Sequence, residues 1–450
     1  MAAHAKFRLR SADDLRAEAG RLGLDIPYNE SVSVLLEKAP LAGREIPNRL
    51  AVLPMEGADA EAGGAPSEWT RRRYRRYAAG GCGLIWCEAT AVRQDGRSNP
   101  GQLLLTERTL GGFAKLVDEA RAAAKKEWGP GHRPLLVLQL THSGRFSKPE
   151  GTPRPLIIQH NPHLDPLHGL APDHPLVSDG ELGAIRDDFV EAADLAAAAG
   201  FDGVDVKACH GYLLAETLAA HSRTGSLYGG PFENRTRLLL ETVRLIREEA
   251  PGLLVTSRLS ATDTVPFPFG FGMDPDEPER TDLAEAKALI GLLVRAGVRF
   301  LSLSLGIPYW KPHFGRPFDK PVPGGKVPKE HPLEGVARHL RVAAELQRTS
   351  PGTAVVGAGY SWLRAFGPGV GAAMVGAGRT AVVGLGRGAL AYPDFAADLV
   401  RRGRLDPRKV CTACSLCSYL LRQQKRVGCV VRDPEYKNAE GAALKGPKAR

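Results

Sequence analysis

No stretch of this 450-residue sequence approaches the roughly 18 uninterrupted apolar residues of a membrane-spanning helix. The opening run Met1-Ala-Ala-His-Ala-Lys-Phe7 lacks the apolar core of a secretory signal. From these two absences a soluble, cytoplasmic protein with no membrane partner is expected. Cysteine is scarce, seven residues in all. Cys82, Cys87 and Cys209 are scattered, whereas Cys411, Cys414, Cys417 and Cys429 are crowded together. An odd, clustered set makes a poor disulfide framework and suits thiol ligation in a reducing compartment. No Gly-x-Gly-x-x-Gly follows an early strand, which argues against a doubly wound dinucleotide fold. No short repeat of the solenoid kind is present.

What the sequence does have is ordinary apolar content and an excess of base over acid, 60 Lys and Arg against 50 Asp and Glu. A basic balance suits a nucleic-acid partner or an acidic substrate such as a CoA ester. The simpler source is Arg-rich solvated helices plus a basic tail, so no nucleic-acid partner is expected. Arg71-Arg-Arg-Tyr-Arg-Arg76 reads as one exposed helix face with Tyr74 and Tyr77 turned inward.

From Asn48 onward short apolar runs alternate with helical patterns. The expected strands are Leu50–Leu53, Gly83–Trp86, Leu135–Gln139, Gly203–Val206, Leu254–Ser257, Phe300–Ser304, Ala354–Val356 and Thr380–Val383. Eight such repeats predict an α/β fold, a TIM (β/α)8 barrel, with a short C-terminal iron–sulfur cluster segment. The expected divisions are a helical extension over 1–45, opened by Ser11 as an N-cap, and the barrel over 46–400. A cysteine segment over 401–435 and a disordered basic tail over 436–450 follow. Pro- and Gly-rich insertions at His142–Asp179, Pro266–Glu279 and Gly306–Pro332 follow strands three, five and six, and should wall the active face.

Candidate chemistry gathers at the strand ends. Strand four runs into Lys207, His210 and Tyr212. Strand seven ends in Val355-Val-Gly-Ala-Gly359 and strand eight in Val383-Gly-Leu-Gly-Arg387. Gly357, Gly359 and Gly386 would let backbone approach a phosphate, with Arg387 as a bidentate partner. Cys411-x-x-Cys414-x-x-Cys417-x11-Cys429 offers four thiolates to a [4Fe–4S] cubane. Zinc also takes four thiolates, more often from paired knuckles separated by a longer gap.

The stretch Asp205-Val-Lys-Ala-Cys-His-Gly-Tyr-Leu-Leu214 and its sequel Arg223-Thr-Gly-Ser-Leu-Tyr-Gly-Gly-Pro-Phe-Glu-Asn-Arg-Thr-Arg237 resemble the NADH:flavin oxidoreductase / old yellow enzyme family. The cysteine pattern resembles its iron–sulfur branch, which includes 2,4-dienoyl-CoA reductase and trimethylamine dehydrogenase. The resemblance implies FMN. It implies contacts to the flavin from Pro54 and Met55, in Leu53-Pro-Met-Glu56, from Gln139 at the pyrimidine edge, and from Arg258 near N1 and the C2 carbonyl. Glu56 departs from the Thr or Cys usual there, and a carboxylate would disfavour an anionic reduced ring unless protonated or turned away.

The resemblance also casts Tyr212 as proton donor to the substrate Cα and His210 as the second member of a carbonyl-binding pair. Lys207 departs from the first member, and its ammonium would suit an enolate oxygen or a substrate carboxylate. The activity implied is reduction of an activated C=C bond in an enone or dienoyl thioester. The sequence ends shortly after Cys429, where relatives carry further FAD and NAD(P) domains. Electrons are therefore expected from NAD(P)H or from a separate electron-transfer protein. Competing readings stay open: oxidation of an amine with electrons exported through the cluster, a Schiff-base aldolase using Lys207, or an electron relay without turnover. Oligomerisation is left open as well.

Overall fold

The computed structural model describes residues 3–444. Short runs rich in Leu, Val and Ile form eight parallel strands, and coverage on both faces explains why apolar residues occupy both faces of most of them. They are β1 (Leu50–Val52), β2 (Leu84–Ala91), β3 (Leu135–Thr141), β4 (Gly203–Val206), β5 (Leu254–Thr262), β6 (Phe300–Leu305), β7 (Ala354–Gly357) and β8 (Val382–Leu385). Every residue of β2, β3, β4 and β6 is buried. Each strand pairs with the next, and β8 closes on β1 with Val383 opposite Leu50. The expected (β/α)8 barrel is therefore the fold.

Inside the barrel, Trp86 meets Phe300 edge-on at 5.7 Å between ring centres, among Ala51, Val137, Val356 and Val382. Outside, helices such as Asp179–Ala198 and Phe232–Glu249 turn their apolar stripes to the strands. The first is opened by Ser178, whose hydroxyl accepts from the Glu181 N–H at 3.1 Å. No helix among the described residues is long and apolar enough to cross a membrane.

Three expectations need correction. The segment 1–45 is not wholly helical. Ala12–Arg21 is a helix with Ser11 as its N-cap, but Ala39–Leu41 pairs antiparallel with Arg44–Ile46. Ala42 and Gly43 between them both have positive φ, the signature of a type I′ hairpin. Leu41 and Ile46 pack under the barrel floor. Strands of three residues, one holding Pro40, carry too little periodicity to be read.

The run 71–76 is not an exposed face: Arg71, Arg72, Arg75 and Arg76 are half-buried and salt-bridged, and Arg73 goes further. It is buried and pairs with Asp59 at 2.7 Å and Glu88 at 2.6 Å, while Tyr74 and Tyr77 do point inward. The tail is not disordered from residue 436. Pro434–Glu440 is a helix whose Tyr436 is buried, its hydroxyl accepting from Arg73 Nη1 at 2.8 Å. Residues 445–450 of that tail lie outside the described residues. The same docking surface pairs Arg72 with Asp433 at 2.9 Å, which fixes the cysteine segment against the helix Glu68–Ala79.

Candidate active site

At the C-terminal mouth of the barrel lies a cavity of about 200 Å3. Its walls include Pro54, Met55 and Glu56 after β1, Gln139 on β3, and Lys207, His210 and Tyr212 after β4. Arg258 on β5, Gly359 after β7, and Gly386 and Arg387 after β8 complete the set. Of the sequence-predicted barrel residues only Gly357 stays behind the wall, where an added Cβ would come within 2.8 Å of the Tyr360 hydroxyl.

The turn after β4 is unusual. His210 and Gly211 have φ of +69° and +73°. For His210 this left-handed backbone is strained. It is held by the His210 N–H donating to Ser260 Oγ at 3.3 Å and by Nε2 lying 2.9 Å from Ser304 Oγ. Burial, with Lys207 and Arg258 nearby, pushes the imidazole well below its usual range, so His210 is neutral at pH 7. The same turn swings Tyr212 under the Lys207 ammonium, whose Nζ sits 3.7 Å from the ring centre. Burial lowers the Lys207 pKa and raises that of Tyr212 well above 10, keeping the phenol protonated.

Glu56 lines the cavity, but its carboxyl accepts from Ser98 Oγ at 2.5 Å and from Asn99 Nδ2. Burial raises its pKa. The Ser98 and Asn99 donors oppose that shift by favouring the ionised form. Arg258 Nε and Arg387 Nη1 are buried without a hydrogen-bond partner. An added Cβ at Gly386 would meet Met55 Sδ at 3.1 Å, and at Gly359, with φ of +94°, it would meet His339 Cβ at 2.8 Å. These glycines keep backbone bare beside two guanidiniums that make no salt bridge among the described residues.

Asp205 and Arg316 were not singled out from sequence. Asp205, fully buried on β4, accepts from Gln139 Nε2 at 2.5 Å, Trp86 Nε1 at 2.8 Å and the Arg258 N–H at 2.6 Å. A carboxylate only accepts, so the Gln139 amide nitrogen faces Asp205 and its oxygen faces the cavity. The signal was an acid inside Gly-Val-Asp-Val, a buried strand where an unpaired charge would be prohibitive. Tyr309 and Arg316, from the insertion after β6, also line the cavity. Tyr309 faces the Tyr212 hydroxyl and stacks on Phe146 at 4.5 Å.

Cys411, Cys414, Cys417 and Cys429 line one small second cavity, beside Leu390 and Val430. Arg387 and Cys417 belong to both cavities. Burial pushes two of the thiols up, Cys411 to about 11 and Cys429 to about 12. Among the described residues no three His, Cys, Asp or Glu side chains converge at single-ion spacing.

The sequence pattern of the NADH:flavin oxidoreductase / NADH oxidase family matches residues 41–271. An NADH:flavin oxidoreductase of Gibberella zeae is 28% identical over 289 residues, 59% of this chain and 65% of that protein. An NADPH dehydrogenase of Bacillus velezensis is 32% identical over 222 residues, 48% of this chain and 61% of that one. The chain thus spans less than two thirds of the length of these curated relatives. The solved structure of 2-naphthoyl-CoA reductase with 2-naphthoyl-CoA superposes with a TM-score of 0.71 at 20% identity, covering 90% of this chain and 58% of that one.

Proposed function

The chain belongs to the NADH:flavin oxidoreductase / NADH oxidase family, and from that premise we propose an FMN-dependent oxidoreductase that reduces an activated C=C bond with electrons from NAD(P)H or a separate donor protein. The observation that carries the reading is the barrel-mouth cavity, where Arg258 and Arg387 keep buried, unpartnered nitrogens beside glycine turns. Gln139 would offer its amide oxygen to the pyrimidine edge of the flavin, and Arg258 would favour negative charge there. Arg387, with the bare backbone at Gly359 and Gly386, would hold the phosphate. FMN, when bound, supplies the hydride chemistry that no side chain of this protein can.

The chain's own residues do the rest. Tyr212 stays protonated and is positioned by His210-Gly211, so it can deliver a proton to the carbon next to the activating group. Neutral His210, with Nε2 paired to Ser304, and Lys207 would hold the oxygen on which charge develops. Phe146, Ile307, Tyr309 and Trp310 form an apolar cluster with Tyr212 and would exclude water from the proton transfer.

For the cysteine segment we propose a [4Fe–4S] cluster. A cubane takes one thiolate at each iron, so four cysteines around a shared cavity suit it without converging on a single point. Cys411 and Cys429, whose thiols burial keeps protonated, would exchange those protons for metal on loading. Cys417 and Arg387, common to both cavities, would give that centre its shortest link to the flavin. The test is an absorption spectrum of anaerobically purified protein with released flavin and iron counted, followed by addition of NADH or NADPH. A flavin spectrum bleached by reductant and restored by an enone supports the reading. Protein lacking flavin after reconstitution with FMN defeats it.

A further inference from the structure

The insertion after β6 is laid along the cysteine loop. Arg316 Nη1 donates to Ser418 Oγ, and the Pro317 carbonyl accepts from Arg387 Nη2 at 2.6 Å. The Asp319 N–H donates to the Ala413 carbonyl at 3.0 Å, and Ser415 Oγ donates to the Lys320 carbonyl at 2.7 Å. Residues 316–320 thus run beside the loop that carries Cys414 and Cys417. Arg316 lines the barrel-mouth cavity together with Cys417 and Ser418. It is half-buried, makes no salt bridge among the described residues, and has a buried Nε without a hydrogen-bond partner. Burial draws its pKa down to about 10, which leaves it charged at pH 7; the ionisable groups that act on it most are Arg387, then Cys417 and Arg422. The flavin reading gives Arg387 to the phosphate and Arg258 to the ring, and gives Arg316 no task.

On the cluster reading above, on which this inference rests, one-electron reduction adds a negative charge to the iron–sulfur core and its thiolates and makes or breaks no bond. A fixed positive charge nearby stabilises the more negative form, and net charge and hydrogen bonding around the sulfurs set the potential of such clusters. We propose that Arg316 is a potential-setting residue: its guanidinium, anchored on Ser418, stands by the Cys417 corner and makes the cluster easier to reduce. Arg422, at the end of the same short helix Leu416–Arg422, adds to this field but is exposed, so water and salt screen it. Arg316 also acts on His210 and Tyr309 in the wall of the active site. One side chain therefore places its charge within reach of both the acceptor side and the cluster corner.

The experiment takes full-length protein loaded with FMN, iron and sulfide and titrates it with dithionite without oxygen, following the reduced cluster by electron paramagnetic resonance. Arg316→Gln removes the charge and keeps a donor for Ser418; Arg316→Lys keeps the charge. Arg316→Gln should shift the one-electron equilibrium of the cluster about tenfold or more toward the oxidised form, a fall of about 59 mV. Arg316→Lys should keep most of the wild-type potential. Ser418→Ala, which frees the guanidinium and touches no cysteine, should lower the potential by a smaller amount and stands in if Arg316→Gln does not fold. A purely structural role would change the iron content and leave the potential of the intact cluster where it was. A wild-type potential in whichever of Arg316→Gln and Ser418→Ala holds its iron overturns this inference alone, as does loss of iron from both. A wild-type protein that holds no iron after reconstitution overturns the cluster reading and this inference with it.

Discussion

Asp205→Asn isolates one buried charge and the amide it orients. Asp205 is fully buried and accepts three hydrogen bonds, from Gln139, Trp86 and the Arg258 N–H. Burial still outweighs those donors and pushes the carboxyl up to about 6. An unfolded Asp titrates near ~3.9, so at pH 8 the ionised folded form carries a penalty of ~3 kcal/mol at ~1.36 kcal/mol per pH unit. The folded pKa is raised, so this group's contribution to stability is fully present below the unfolded pKa and is lost as pH rises through about 6.

Asparagine has one oxygen, so one of the three donors must face an N–H, at ~1–3 kcal/mol. The variant should therefore be less stable than wild type by ~1–3 kcal/mol at pH 4. By pH 8 the deficit should shrink by ~3 kcal/mol, to near zero or beyond. Urea-denaturation curves of both proteins from pH 4 to 8 measure this, because other titrating groups cancel in the difference. With its orienting acceptor weakened, Gln139 should also lose its preferred rotamer, and FMN affinity of the apoprotein should fall about tenfold. A stability difference that is flat across this pH range would refute the account of Asp205.

Other consequences are simpler to read. Tyr212→Phe should lower acceptor reduction by ~10²–10⁴-fold while acceptor binding, followed by flavin absorbance, changes only a few-fold; an unchanged rate removes Tyr212 from the chemistry. Gly359→Ala forces a Cβ to within 2.8 Å of His339 at a φ of +94°. It should cost ~1–3 kcal/mol and reduce bound flavin, measured as the melting temperature and the flavin released per chain. Cys411→Ser should remove protein-bound iron, measured colorimetrically, while leaving flavin uptake largely intact; full iron content in the variant rules out the four-cysteine cluster.

The barrel was readable because both faces of its strands are covered. Leu50–Val52 and the first four residues of Leu135–Thr141 are uninterrupted apolar runs, and composition records their burial directly. Lys207, His210, Tyr212 and the glycine turns were readable for a related reason. They sit at strand ends, where a polar residue or a glycine interrupts an apolar run and its position along the chain fixes its position at the mouth. The four cysteines announce themselves by spacing.

Other features depended on residues distant in the chain. Nothing in Arg71–Arg76 says that Arg73 alone turns inward. Asp59 and Glu88 wait there, one after β1 and the other on β2. Asp205 is visible as an acid in a strand, but its role as the acceptor for Gln139 comes from β3 and β4 lying side by side, with residue 139 opposite residue 205. Glu56 could not be judged until Ser98 and Asn99 were seen to hold it. Periodicity and spacing are local, so the chain alone determined the barrel and the ends of its strands; pairing is not local, so which charges are answered was decided only when the barrel closed.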